Sequence, residues 1–214
     1  MEMFATFMRE GGVFMYFILV VSMIGVAIAV ERAIFLFFKY SADADMLWKK
    51  ISKAIADNNI ESAKSFCRGG AAPIARVFDK ALQSCGKDER EIQTAVDEVS
   101  LEVIPDIDKR VSYLAMLANI ATLLGLLGTI QGLIQAFQAV GSADPTQKAS
   151  ILAGGISIAL YTTAFGLVVA IPILIAYSIL QSKAHRLVDD IDEFSVKIIN
   201  LLSKSFGDRR GNVS

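Results

Sequence analysis

Charge is missing from three long stretches of this chain. Positions 11–30, 111–143 and 149–182 contain no Asp, Glu, Lys or Arg, although the 214 residues include 21 Lys+Arg and 22 Asp+Glu. Histidine is nearly missing as well: His185 is the only one. Cys67 and Cys85 are the only cysteines; they are not spaced as metal ligands and have no second pair beside them. There is no P-loop, no GxGxxG turn and no nucleophile placed near a histidine. Ser157 has neither His nor carboxylate within its stretch. These absences argue against hydrolytic, nucleotide-dependent and metal-dependent enzymes, and no cofactor is expected. A net charge of −1 supplies no field that would gather nucleic acid.

What is present is apolar. Hydrophobic residues make up 54% of the chain and the mean hydropathy is +0.50. Each uncharged stretch can supply the roughly 20 residues that cross a bilayer. The expectation is an all-α integral membrane protein with three transmembrane helices and long helical extensions in the cytoplasm. The second and third stretches, at about 1.5 Å per residue, reach about 50 Å each. They exceed one crossing but are too short for two crossings and a turn.

The basic residues set the expected orientation. Arg32, Lys39, Lys109, Arg110, Lys183 and Arg186 flank one side, and Arg9 and Lys148 the other. Residues 1–38 then hold an outer N-terminus and the first crossing, and 39–112 a cytoplasmic helical domain. Residues 113–140 form the second crossing, 141–147 an outer loop, 148–181 the third crossing, and 182–214 a cytoplasmic helix and tail. Met1–Glu10 lacks a strongly positive start, and no cleavage signal precedes Glu31, so a retained signal-anchor is expected.

Within 39–112, Met46, Ile51, Ile55, Ile60 and Phe66 recur at partly helical spacing, with a turn at Asp57-Asn58-Asn59 and an end at Gly69-Gly70. Pro73 opens a helix striped by Ile74, Val77, Phe78, Ala81 and Leu82. Gly86 breaks it. A further helix from about Asp88 buries Ile92, Ala95, Val96, Val99 and Val103, shows acids on its other face, and passes Pro105 to feed the second crossing. In the tail, Leu187, Ile191, Phe194, Ile198 and Leu201 form a stripe to about Phe206. Fraying is expected from Gly207.

Small residues concentrate in the two long stretches. Thr122, Gly125, Thr129, Gly132 and Ala136 repeat at three and four residues, as do Gly155, Ala159, Thr163, Gly166 and Ala170. Gly128 and Gly132 add a small-xxx-small pair. Such faces let membrane helices approach closely. A packing role alone, in a nonconducting scaffold, competes with one in which Thr129 and Thr163 stand beside a pore. The crossings hold no Asp, Glu, Lys, Arg or His at their centres, so a proton relay would need an ionisable group from a partner.

The order and spacing of three segments resemble the MotA/TolQ/ExbB proton channel family, most of all its ExbB and TolQ branches. They are Gly12-Val13-Phe14-Met15-Tyr16 with Glu31-Arg32; Gly125 through Leu133, reading GLLGTIQGL; and Ala159 through Pro172, reading ALYTTAFGLVVAIP. The resemblance implies a bacterial inner-membrane channel with a periplasmic N-terminus and a cytoplasmic C-terminus. It implies a homo-oligomer, commonly a pentamer, around an ExbD/TolR-like dimer whose Asp carries the proton. It implies pore positions at Thr129 and Thr163, and packing positions at Thr122, Gly125, Gly128, Gly132, Gly155, Ala159 and Gly166. In an ExbB-type system the work drives outer-membrane transport through a TonB-like protein; a TolQ-like system serves the cell envelope. A Glu often precedes the Ala-Leu pair of the third segment in this family, but here the residue is Ile158. No extended torque domain of flagellar-stator length is present.

Overall fold

The computed structural model describes residues 12–40, 43–68, 70 and 72–211, with 206–211 described by backbone alone. The signal-anchor reading of Met1–Glu10 and the expected break at Gly69 lie outside the described residues. Seven α-helices are present among the described residues: α1 Val13–Ile34, α2 Ala44–Ala56, α3 Ile60–Cys67, α4 Pro73–Gln83, α5 Glu89–Asp108, α6 Val111–Gly141 and α7 Lys148–Gly211. A π-helical turn, Phe35–Lys39, follows α1. Three stretches, Val13–Ala56, Glu89–Gly141 and Lys148–Ser205, each contain a helical window long and apolar enough to cross a membrane. The fold is all-α, with helical extensions beyond these windows.

The chain divides into two compact units. The first takes the chain up to Glu31 and from Arg110 to Ile179; the second takes Arg32–Lys109 and the chain from Leu180 onward.

In the first unit, α6 and the opening half of α7 run antiparallel. Close neighbours show it: Ala121 lies by Gly166, Gly128 by Thr162, Gly132 by Ala159 and Ala136 by Gly155. As one number rises, the other falls. The buried face of α6 is Leu114, Ala118, Ala121, Gly125, Gly128, Gly132 and Ala136, a helical repeat that turns from large to small residues along its length. Helix α1 meets α7 where Gly25 faces the side chain of Ile173. At the start of α6, Arg110 Nη1 donates to both carboxylate oxygens of Glu31, at 2.8 and 2.9 Å.

The expected direct passage from α5 into the second crossing is interrupted for two residues. Pro105 sits inside α5 without ending it. The interruption comes later, where Lys109 leaves the helical region, with ψ 128°, and Arg110 is left-handed, with φ +63°. A left-handed residue cannot continue a right-handed hydrogen-bond ladder.

The second unit is built from capped short helices around an aromatic centre. Asp43 Oδ1 accepts from the Met46 amide at 2.9 Å, and Asn59 Oδ1 from the Ser62 amide at 3.0 Å. Each satisfies an amide that a helix start leaves open. Trp48, Phe78 and Phe194 bring their rings together at 6.0–6.2 Å between centroids, within the range of favourable aromatic packing. The expected stripe of α4 is fully buried, and of the α5 stripe Ile92, Val96, Val99 and Val103 are. Ala95 is half-buried.

Three expectations are corrected here. Met46 and Phe66 point outward, at 53% and 45% exposure, and the inner faces of α2 and α3 use Ala44, Ala54, Ala63 and Cys67 beside Ile51 and Ile55. In the tail Leu202 is buried while Leu201 is half-buried, because Phe194, Ile198 and Leu202 continue the four-residue repeat. The α7 backbone stays helical through Gly211 instead of fraying from Gly207.

Candidate functional site

The helix pair α6/α7 brings most of the singled-out residues together. A Cβ added at Gly166 would lie 2.8 Å from the Ala121 carbonyl oxygen and 3.1 Å from Gly125 Cα. One at Gly125 would lie 3.3 Å from Gly166 Cα and from Thr163 Cα, and one at Gly132 would lie 3.2 Å from Ala159 Cβ. At Gly128 and Gly155 an added Cβ would overlap Thr162 Cγ2 and Ala136 Cβ. The two backbones therefore touch, as small residues at a membrane-helix contact permit.

The expected five-residue face of α6 divides. Gly125, Gly132 and Ala136 are buried against α7, together with Ala121 and Gly128. Thr129 is half-buried at the edge of that face, and Thr122 is exposed. On α7, Ala159, Gly166 and Ala170 are buried, while Gly155 and Thr163 are half-buried.

The threonine hydroxyls all donate to backbone carbonyls. Thr122 donates to Ala118 at 3.1 Å, Thr129 to Leu126 at 2.6 Å and Thr162 to Ile158 at 3.0 Å, each within its own helix. Thr163 differs: its hydroxyl crosses to α6 and donates to the Gly125 carbonyl at 3.0 Å. In an α-helix that carbonyl also takes the amide four residues on, which is that of Thr129. The Gly125 carbonyl is thus shared by the Thr163 hydroxyl and the Thr129 backbone amide, while the Thr129 hydroxyl stays on its own helix at Leu126. The absent side chain of Gly125 is what lets Thr163 reach it.

Thr162 was not singled out from sequence, yet it is fully buried and fills the space left by Gly128. The signal was available. Thr162 lies three residues after Ala159 and four before Gly166, on the face that both define. Ile158 is 36% exposed and adds no polar side chain. His185, the only imidazole, is exposed on α7.

Chemically, this arrangement can orient hydrogen bonds. It has no Asp, Glu, Lys, Arg or His of its own along positions 111–143 or 149–182.

The sequence profile of the MotA/TolQ/ExbB proton channel family matches residues 70–193, more than half of the chain. An ExbB-homologue biopolymer transport protein of Methanothermobacter thermautotrophicus is 28% identical over 205 residues, covering 90% of this chain and 66% of that protein. An ExbB-like biopolymer transport protein of Synechocystis is 30% identical over 200 residues, covering 93% of this chain and 94% of the relative. The Tol-Pal system protein TolQ of Haemophilus influenzae is 36% identical over 96 residues, covering 43% of this chain and 42% of that protein.

Proposed function

The chain belongs to the MotA/TolQ/ExbB proton channel family, and from that membership we propose that it is the ExbB-type subunit of a proton-driven motor in a bacterial inner membrane. The family is one of channels and motors, not of catalysts. Five copies surround the membrane helices of an ExbD/TolR-like dimer, whose Asp carries the proton past Thr129 and Thr163. Movement of that dimer energises outer-membrane transport through a TonB-like protein. Residues 39–112 and 182–214 lie in the cytoplasm, and the N-terminus and 141–147 in the periplasm.

The observation that supports this reading is the bond of the Thr163 hydroxyl to the Gly125 carbonyl, across the close contact of α6 and α7. The spans on either side of that bond lack any charged side chain of their own. A proton crossing there needs a visiting carboxyl or continuous water. The likeness to a TolQ protein favours a second reading, a motor that maintains the cell envelope.

Deletion of this chain from its own cell separates the two. Loss of energised outer-membrane uptake with an intact envelope supports the ExbB-type role. A leaky envelope with normal uptake supports the TolQ-like one. Retention of both overturns the motor reading.

A further inference from the structure

Helices α2 and α5 stand at the two ends of one row, with α2 packed on α3, α3 on α4 and α4 on α5. Each end leaves a charged outer face around one apolar side chain. On α2 that face is Met46, Lys49, Lys50 and Lys53, which share one side of the helix and are all exposed. On α5 it is Thr94, Asp97, Leu101 and Asp108, likewise on one side and exposed. Met46 is 53% exposed and Leu101 76%.

These charges are not spent inside the chain. Arg76 and Lys80 of α4 hold Glu102 and Glu98, on the flank of α5, at 2.6 and 3.4 Å. Among the described residues, no carboxylate stands within ion-pair distance of Lys49, Lys50 or Lys53, and no cation within that distance of Asp97 or Asp108. One face therefore offers free lysines and the other free carboxylates.

The two faces also match in register. Laid antiparallel with Met46 against Leu101, they put Lys50 opposite Asp97 and Lys49 opposite Glu98. Asp57, which ends the α2 face, falls opposite Arg90, which opens the α5 face; each lies eleven positions from the apolar residue of its own face. Antiparallel is also the direction that a ring about the membrane normal requires. Helix α2 leads away from the first crossing and α5 leads toward the second, so in copies held at one height the two run oppositely. A contact between two different faces, repeated head to tail, closes into a ring when its rotation allows.

We infer that the lysine-rimmed Met46 face of α2 docks, antiparallel, on the acid-rimmed Leu101 face of α5 in a second copy of this chain. The inference rests on the five-copy reading above and adds to it the surfaces by which the copies join outside the membrane. Met46 and Leu101 leave water at the centre of the contact, and the lysine–carboxylate pairs around them select the partner and its register.

The test uses the full chain in lipid, with Cys85→Ser removing the more accessible thiol and Cys67 left buried. Chains carrying Met46→Cys and chains carrying Leu101→Cys, with different affinity tags, are expressed together in one membrane and oxidised. A disulfide joining the two tags is expected, and a ladder of linked copies from a chain bearing both substitutions. Lys50→Glu in every copy is expected to lower the linked yield about tenfold, through like charges set face to face. Asp97→Lys added to it should restore the yield. Native mass measurement of the same samples separates two failures. A chain that is single throughout overturns the five-copy reading, and the inference with it. A larger species overturns the inference alone if it lacks the mixed disulfide, if it forms disulfides between like positions equally well, or if its yield ignores the charge reversals.

Discussion

Gly166→Ala tests the packing on which the site depends. The added Cβ would meet two backbone atoms of α6, the Ala121 oxygen at 2.8 Å and Gly125 Cα at 3.1 Å. Backbone atoms cannot rotate away, so the helices must part by about half an ångström to reach ordinary contact distance. That movement stretches the Thr163–Gly125 hydrogen bond from 3.0 Å to about 3.5 Å, the limit of useful bonding. Overpacking of this kind costs about 1–3 kcal/mol, and the weakened hydrogen bond about 1 kcal/mol. The higher helix propensity of Ala returns about 1 kcal/mol. The net expectation is a loss of about 1–3 kcal/mol. Gly154→Ala is the comparison, on the same helix, because nothing lies within 4 Å of a Cβ there. It should be neutral or stabilising by up to about 1 kcal/mol. Reversible unfolding in mixed detergent–lipid micelles measures both. Equal effects of the two substitutions, or a more stable Gly166→Ala protein, would refute the close contact of α6 and α7.

Arg110 is left-handed at φ +63°, so Arg110→Gly should be better tolerated than Arg110→Ala by about 1 kcal/mol in denaturant unfolding; the reverse order would contradict the strained conformation. Its ion pair with Glu31 joins side chains 47% and 33% exposed, so Glu31→Gln should cost no more than about 1 kcal/mol. Burial, and secondarily the Asp79 carboxylate, pushes the Cys67 thiol up to about 12. Maleimide at pH 8 should therefore modify Cys85 long before Cys67, and equal rates by peptide mass mapping would sink that expectation. Burial also raises Asp190 above its ordinary 3.8, with Glu193, Asp45 and Asp189 adding to the rise and Lys183 opposing it. A carboxyl raised in the folded state costs stability as pH climbs through its folded value and costs nothing below the unfolded one. Asp190→Asn should remove that decline and stabilise the protein at pH 7; an unchanged slope of stability against pH would count against it.

The three long apolar helices were legible because an uncharged run of twenty or more apolar residues is long enough to cross a bilayer. The α4 stripe was legible because five apolar residues occupied one face of an eleven-residue helix. Helices α2 and α3 were harder. Their inner faces are largely alanine, and Met46 and Phe66, the larger residues, sit outside. Periodicity finds a stripe but does not say which of two weak stripes faces inward. The interruption at Arg110 carries no local signature, since neither Gly nor Asn marks the left-handed residue and the Glu31 that Arg110 bonds is 79 residues away. The small faces of α6 and α7 could be read from spacing, but their edges could not. Thr129 and Gly128 are adjacent in sequence, yet one stands at the rim of the contact and the other inside it. The partner of each threonine hydroxyl was likewise hidden, because Ser and Thr bonds within a helix and between helices use the same residue types.

The central claim is that this chain moves protons only with a carboxyl supplied by a second membrane helix. Proteoliposomes holding the chain alone, or the chain with its ExbD/TolR-like partner, can be placed under a pH gradient while an entrapped dye follows proton entry. Flux is expected with the partner present. It should fall to background when the partner's Asp is replaced by Asn, and fall in Thr129→Val and Thr163→Val while assembly is retained. Robust gradient-driven flux from this chain alone would contradict the account.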